Sequence, residues 1–418
     1  MAALVVGAPR GASAQGQPGP EEGPGAAQEV SAHPRAAIDP PEAKPEAWSF
    51  SHPLAWPEPT TRLDAAGYVL PQFQYVSLPS ALPRDKTQYG ARGSRVGFAI
   101  HGNPLEGFSY MAHFVIAPAG TDRVTLLSPN STPALGITLP TSTGTAVEVE
   151  EATLGYRPAQ WLELKLGAVR MPFTVAQTTP VPKQMFPVRA PQSSEFQSGA
   201  DTGLLTTFAP FAGRLQVAGG VFLGTSLGGG AANQSVRGPA LSAQVSAHPL
   251  GAMSLREGDL GRGPLRVAFG FSSIYRRARL LDQTGYETTS FTDTRFAAWL
   301  RAHWSGFYVQ GELMKRLRTD DLSGRPSVSE GAYAQASYYQ PVGTSMAFGP
   351  VARAGVVTND IGFQPRKFTS FEGGLAFYPR ADNAEPEKLR ILVEYLQAEL
   401  SPFDELQREG LVQLQLEF

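Results

Sequence analysis

Three residue patterns in this 418-residue chain could do chemistry. Gly224-Thr225-Ser226-Leu227-Gly228 has the G-x-S-x-G spacing of a hydrolase nucleophile elbow. That elbow needs a helix directly after the serine, so that a sharp turn presents the hydroxyl. Gly229-Gly230-Ala231 follows instead, a flexible stretch that would hold nothing in place. The six histidines are scattered without H-E-x-x-H or any paired spacing, so neither a metal site nor a cofactor is expected. Cysteine is absent, which excludes disulfide scaffolds, zinc ribbons, iron–sulfur centres and cysteine nucleophiles. The third pattern is arginine, with some lysine, at alternate positions of apolar–polar runs. Guanidinium groups are planar, permanently charged and weakly hydrated, so they hold oxyanions without trapping them. That is binding chemistry, and the chain is not expected to be an enzyme.

The elements that carry these cations must alternate between two environments. Charged residues make up 17% of the chain, below the roughly 25% of ordinary soluble domains. Thirty-five basic against thirty-seven acidic residues leave a net charge of −2, which argues against a nucleic-acid partner. With 44 glycines and 36 prolines long helices are disfavoured, and no apolar run is long enough for a membrane helix. From residue 67 an alternating pattern returns sixteen times, at 68–77, 95–101, 108–117, 147–156, 162–169, 201–208, 215–224, 241–248, 265–275, 294–303, 307–316, 330–339, 350–357, 371–378, 389–396 and 412–418. Short connections alternate with long ones, except that 249–264 is long where a short turn is due. The fold expected is all-β: a closed antiparallel transmembrane β-barrel of sixteen strands, with short periplasmic turns and longer extracellular loops. The segment 384–400 also fits a helical template, but a helix there would leave an odd strand count and spoil closure.

The chain ends support secretion. Residues 1–14, with Leu4–Ala8 apolar and Ala12-Ser13-Ala14 as an A-x-A site, read as the remnant of a signal peptide cleaved after Ala14, with the true start upstream of Met1. Residues 15–66 read as a disordered Pro/Gly-rich periplasmic linker, and 67–418 as the outer-membrane barrel. The last strand puts Val412, Leu414, Leu416 and Phe418 on one face and Gln413, Gln415 and Glu417 on the other. Its terminal Phe418 resembles the signal that outer-membrane barrels present to the barrel-assembly machinery.

With apolar faces turned to lipid, alternation gives the lumen Arg95, Lys165, Arg214, Arg266, Arg295, Arg301, Arg316, Arg353 and Arg390. Glu151, Glu163, Glu312, Glu372, Glu394 and Glu417 face them, with His101, His113, His248 and His303. Some of these arginines would pair with glutamates on neighbouring strands and brace the wall. Cations are still in excess, which points to anions.

Several stretches resemble the phosphate-selective porin O/P family of outer-membrane channels: Glu151–Pro172 (EATLGYRPAQWLELKLGAVRMP) with Phe173, Phe307–Arg316 (FYVQGELMKR), Gly373–Pro379 (GGLAFYP), and Asp201-Thr202-Gly203 opening a strand. The resemblance implies a sixteen-stranded barrel, usually a homotrimer, with an arginine-lined anion channel. It also implies that the loop Arg170–Ala200, stiffened by five prolines, folds inward, anchored by Phe173, Met185 and Phe186. Arg170, Lys183 and Arg189 would then stand at the constriction. Family members that select phosphate concentrate lysine there, and this chain has seven lysines in all. The function expected is an outer-membrane porin for passive diffusion of small anionic solutes, phosphate-like oxyanions among them. The alternatives are a secreted soluble β-rich carbohydrate-binding protein and an outer-membrane enzyme.

Overall fold

A computed structural model of the chain describes residues 60–77, 87–90, 94–118, 145–186, 188–224, 236–281, 287–320, 324, 326–343, 346–359, 366–379, 389–401 and 405–417. The signal remnant, residues 15–59 of the linker, residues 225–228 of the G-x-S-x-G run and Phe418 lie outside the described residues.

Sixteen antiparallel strands close into a barrel. In chain order they are β1 (Thr60–Leu70 and Gln72–Ser77), β2 (Thr87–Gly90 and Arg95–Leu105), β3 (Phe108–Pro118), β4 (Thr145–Ala159), β5 (Leu162–Arg170), β6 (Ala200–Phe208), β7 (Leu215–Phe222) and β8 (Val236–Arg237 and Ala240–Ala247). The second half comprises β9 (Arg266–Leu281), β10 (Glu287–Trp304), β11 (Phe307–Asp320), β12 (Pro326–Tyr338 and Gln340–Val342), β13 (Met346–Asn359), β14 (Arg366–Tyr378), β15 (Leu389–Ser401) and β16 (Glu405–Glu417). Each strand pairs with its chain neighbours. β16 then returns to β1, with Tyr68 opposite Glu417 and Phe73 opposite Val412. Pro71 interrupts β1 because it has no N–H to donate, yet its carbonyl accepts the N–H of Leu414 at 3.1 Å. Hydrocarbon offers no partner to a backbone amide, so a sheet can cross it only as a closed ring.

The two faces of that ring differ as the alternation requires. In β16, Val412, Leu414 and Leu416 are 41–47% exposed while Gln413 and Gln415 are 1% exposed. Polar residues point in and apolar ones out. Beside the short turns, aromatic pairs ring the barrel: Phe108 with Tyr156 (4.6 Å between centroids), Trp161 with Phe208 (5.3 Å) and Phe307 with Tyr338 (4.4 Å). Such a girdle marks the membrane interface. An exposed apolar belt with aromatic rims is not the surface of a soluble sandwich, so the secreted carbohydrate-binding alternative does not fit. The protein is a transmembrane barrel of the bacterial outer membrane.

The strands outrun the alternation in several places. The loop expected at 276–292 is mostly paired strand, with Arg276 opposite Asp293 and Arg279 opposite Ser290. The loop expected at 397–410 is likewise paired, from Gln397 opposite Arg408 to Leu400 opposite Glu405. Beyond the hydrocarbon a strand can be polar on both faces, so hydropathy stops marking it while hydrogen bonding continues. β1 likewise starts at Thr60, ahead of the expected boundary at 67, and Asp64, Ala65 and Ala66 pair with His101, Ile100 and Ala99. Within the segment that also fits a helix, residues 389–400 are strand, because β15 fills the gap between β14 and β16, and 384–388 lie outside the described residues.

Candidate functional site

The segment 171–199, between β5 and β6, runs inside the barrel. It holds two short helices, α1 (Val175–Thr178) and α2 (Pro191–Glu195), separated by the 3-10 turn Val181–Lys183. Thr174 caps α1, its hydroxyl accepting the N–H of Gln177 at 3.1 Å. Phe173, Met185 and Phe186 are fully buried. An irregular segment in a lumen leaves carbonyls without partners, and each must be satisfied. Wall side chains do this. Arg295 donates to the carbonyls of Phe196 (3.0 Å) and Gln197 (2.8 Å), and Arg353 to that of Val188 (3.0 Å). Arg390 donates to the Gln184 carbonyl at 2.5 Å, and Gln415 to that of Pro182 at 2.8 Å. The Ala176 N–H in turn donates to Glu312 at 2.9 Å. Gly331 and Gly355 allow the close approach: a Cβ there would stand 2.6 Å from the Phe196 ring and 2.5 Å from the Gln192 side chain.

A second segment, 248–264, enters from the other end. It links β8 to β9 at the short-turn end, which is periplasmic in such barrels. Met253, Leu255, Arg256, Glu257 and Asp259 are all buried. Arg301 donates to the Leu255 and Arg256 carbonyls at 3.1 and 3.0 Å, and Asp259 accepts the Gly306 N–H at 2.7 Å. The two segments meet at Glu257. Its N–H donates to the Lys183 carbonyl and its carboxylate accepts the Met185 N–H, both at 2.8 Å. The anomalous length of 249–264 in the sequence was the mark of this segment.

The candidate cations therefore separate by role. Arg295, Arg301, Arg353 and Arg390 are buried and hold the two segments. Arg295 and Arg316 also clasp Asp293 from both sides (2.7 and 2.8 Å), and Arg353 pairs with Glu372. Arg266 bonds the Leu250 carbonyl at the short-turn end. Arg214 departs from the expectation: it sits in the turn 209–214, exposed, because β7 starts one residue later at Leu215. Lys183 is buried at the clasp. Arg189 donates to the Ala176 carbonyl at 2.9 Å, and burial beside Arg170 pushes its guanidinium down to about 10, still charged at neutral pH. Arg95, at the start of the second run of β2, belongs to the same charge cluster. Lys165 lies 3.7 Å from Glu163, and Arg170 pairs with Glu150.

Glu150 is a residue that strict alternation misses. A bulge sets His113 opposite Glu151 and Phe114 opposite Val149, leaving Glu150 as the extra residue. Its carboxylate turns inward to Arg170 and to His113 Nδ1, 3.1 Å away. The sequence does carry a signal. The apolar phase changes from odd (Val147, Val149) to even (Ala152, Leu154, Tyr156) across Glu150-Glu151.

The inward loop also packs against β6–β9, where Ser242 and Ser272 donate to the Pro172 and Phe173 carbonyls at 2.9 and 2.6 Å. Against β4–β10 the two segments leave a cavity of about 100 Å³. Lys165, Arg170 and Arg301 line it, with Glu151 as the acid among the described lining residues. Pro172, Val175, Met253, Leu255 and Trp299 form its apolar side. Among the described residues no three His, Asp or Glu side chains converge as metal ligands do.

No protein-family model and no curated protein matches the sequence. Solved structures do resemble the fold. OmpT, an outer membrane protein of Vibrio cholerae, folded in vitro and in its trimer form, matches with a TM-score of 0.51 at 10% identity over 85% of this chain and 99% of its own. The anion-selective porin from Comamonas acidovorans matches at 0.52 with 12% identity, again over 85% and 99%. Salmonella typhi OmpF, in complex with daunomycin, matches at 0.51 with 10% identity over 85% and 97%. At such identities the likeness is one of fold: that of the outer-membrane porins.

Proposed function

We propose that the barrel is a passive, non-enzymatic channel for small anionic solutes, whose path runs along β4–β10. The observation that carries this reading is that Lys165, Arg170 and Arg301 line a cavity whose acid among the described lining residues is Glu151, with Glu163 and Glu150 beside Lys165 and Arg170. Cations that line a low-dielectric wall favour anions. The arginine excess of the lumen supports the reading less directly, because Arg295, Arg301, Arg353 and Arg390 are engaged by the inward segments. Phosphate specificity is not part of the proposal, since one lysine lines the cavity and Lys183 lies buried at the clasp. A homotrimer is proposed by analogy with the trimer form of OmpT, and insertion of the barrel by the barrel-assembly machinery through the C-terminal Phe418. Reversal potentials of the full chain in planar bilayers, under a salt gradient, test the channel. Anion preference is expected. Cation preference, or no conductance from a correctly inserted barrel, would overturn the reading.

A further inference from the structure

On the outside of the wall, the apolar face of β9 ends on charge. Phe269, Phe271 and Tyr275 point outward, each about half exposed, and the next two outward positions are Arg277 and Arg279, both exposed. At a rise of about 3.3 Å per residue and a tilt of about 40°, Arg277 stands roughly 25 Å above Val267 at the short-turn end of the strand. The apolar band of an outer-membrane barrel is itself about 25 Å tall. The two arginines therefore emerge beside the headgroups of the outer leaflet. Thr292 and Ser290 of β10 lie directly opposite Arg277 and Arg279, and Thr319 of β11 lies opposite Thr292, so three hydroxyls share that face. No hydrogen bond or ion pair engages the Arg277 guanidinium among the described residues. Other outward cations at this rim are placed differently. Lys315 is answered by Glu330 at 2.6 Å, while Lys367 and Arg408 stand singly on β14 and β16 with the exposed Glu399 on the strand between.

From this arrangement we infer that the outer face of β9–β11 at the extracellular rim docks the phosphorylated headgroup of an outer-leaflet lipid. Arg277 and Arg279 take a phosphate monoester, and the acyl chains lie below it on Tyr275, Phe271 and Phe296. Charge complementarity names the class. A guanidinium meets phosphate oxygens two at a time, and a monoester carries about −1.5 to −2 at pH 7, which two neighbouring arginines answer. A zwitterionic headgroup brings its own cation and gains less. Free phosphate gains the charge contacts but has no chains to lay on the aromatic ground, where Phe271 stacks on Phe296 with centroids 6.2 Å apart. The lipid adds that contact in a layer where it is already concentrated. The site lies outside the lumen, so it stands independently of the channel reading.

The full chain in a neutral detergent is titrated with lipid A, a glucosamine disaccharide lipid bearing two phosphate monoesters. Phosphatidylcholine and inorganic phosphate serve as comparators, and native mass spectrometry counts the molecules retained. Lipid A is expected to bind saturably and more tightly than either comparator. The worth of one cation at a membrane surface predicts that Arg277→Gln weakens lipid A about fivefold. Adding Arg279→Gln should weaken it further. Lys315→Gln, whose charge Glu330 already answers, should leave binding unchanged. Migration of unboiled samples on gels confirms that each variant is folded. Phosphatidylcholine retained as tightly as lipid A would mean that acyl chains alone are recognised. Inorganic phosphate bound as tightly would make the site one for a free ion. An unchanged affinity in Arg277→Gln, or an equal loss in Lys315→Gln, would remove the site from β9–β11. Each of these four results overturns the inference, and none of them bears on conduction.

Discussion

The carboxylate of Glu257 accepts the backbone N–H of Met185 at 2.8 Å, joining two segments that enter the barrel from opposite ends. The reciprocal bond from the Glu257 N–H to the Lys183 carbonyl makes the contact two-point. A charge-assisted hydrogen bond of this kind is worth about 1.5–3 kcal/mol. Glu257→Ala should therefore let the two segments separate. Single-channel conductance is expected to rise severalfold, with more frequent large fluctuations. Replacing 252–261 by a two-residue turn should do the same. Wild-type conductance in the shortened variant would show that 248–264 does not restrict the path.

Selectivity should depend on the cavity cations more than on Lys183. Lys165 lines the cavity, whereas Lys183 is buried at the clasp. Lys165→Glu is expected to move the reversal potential toward cations, and Lys183→Gln to move it little. The opposite ranking would place the solute path on the β10–β16 side.

Glu150 neutralises Arg170 through the bulge in β4. Glu150→Gln leaves the guanidinium without its counter-ion, so anion preference should increase while stability falls by about 1–3 kcal/mol. Reversal potential and the temperature of gel-shift loss measure the two effects separately. A fall in anion preference would mean that Arg170 does not face the permeating ion.

Stability should also depend on pH through Glu195, in α2. Burial raises its carboxyl to about 7 despite Arg316 and Arg295 nearby, and Asn359 donates to it at 2.9 Å. A carboxyl raised in the folded state binds more protons than its unfolded counterpart between about 4.5 and 7. Stability contributed here is thus present at low pH and lost as pH rises through that window. The wild type should melt several degrees higher at pH 5.5 than at pH 8. Glu195→Gln should remove much of that difference. An unchanged difference in the variant would assign it to other groups.

The barrel itself was legible in the chain because each strand faces two solvents at once. Lipid on one side and polar lumen on the other impose a period of two on every crossing, so count, topology and the outward set Val412, Leu414 and Leu416 are local properties. The same logic failed where the membrane ends: past Tyr275 neither face needs to be apolar, yet the ladder continues to Leu281. The bulge at Glu150 was visible as a change of apolar phase, although its direction depends on Arg170, twenty residues along the chain. The tasks of individual arginines were not legible. Arg353 meets the Val188 carbonyl across 165 residues and Arg390 meets that of Gln184 across 206, so alternation places both in the lumen and says nothing of what occupies it. Whether a lumen cation faces a solute or a carbonyl depends on where two irregular segments come to rest. Packing among distant residues decides that, and no local pattern encodes it.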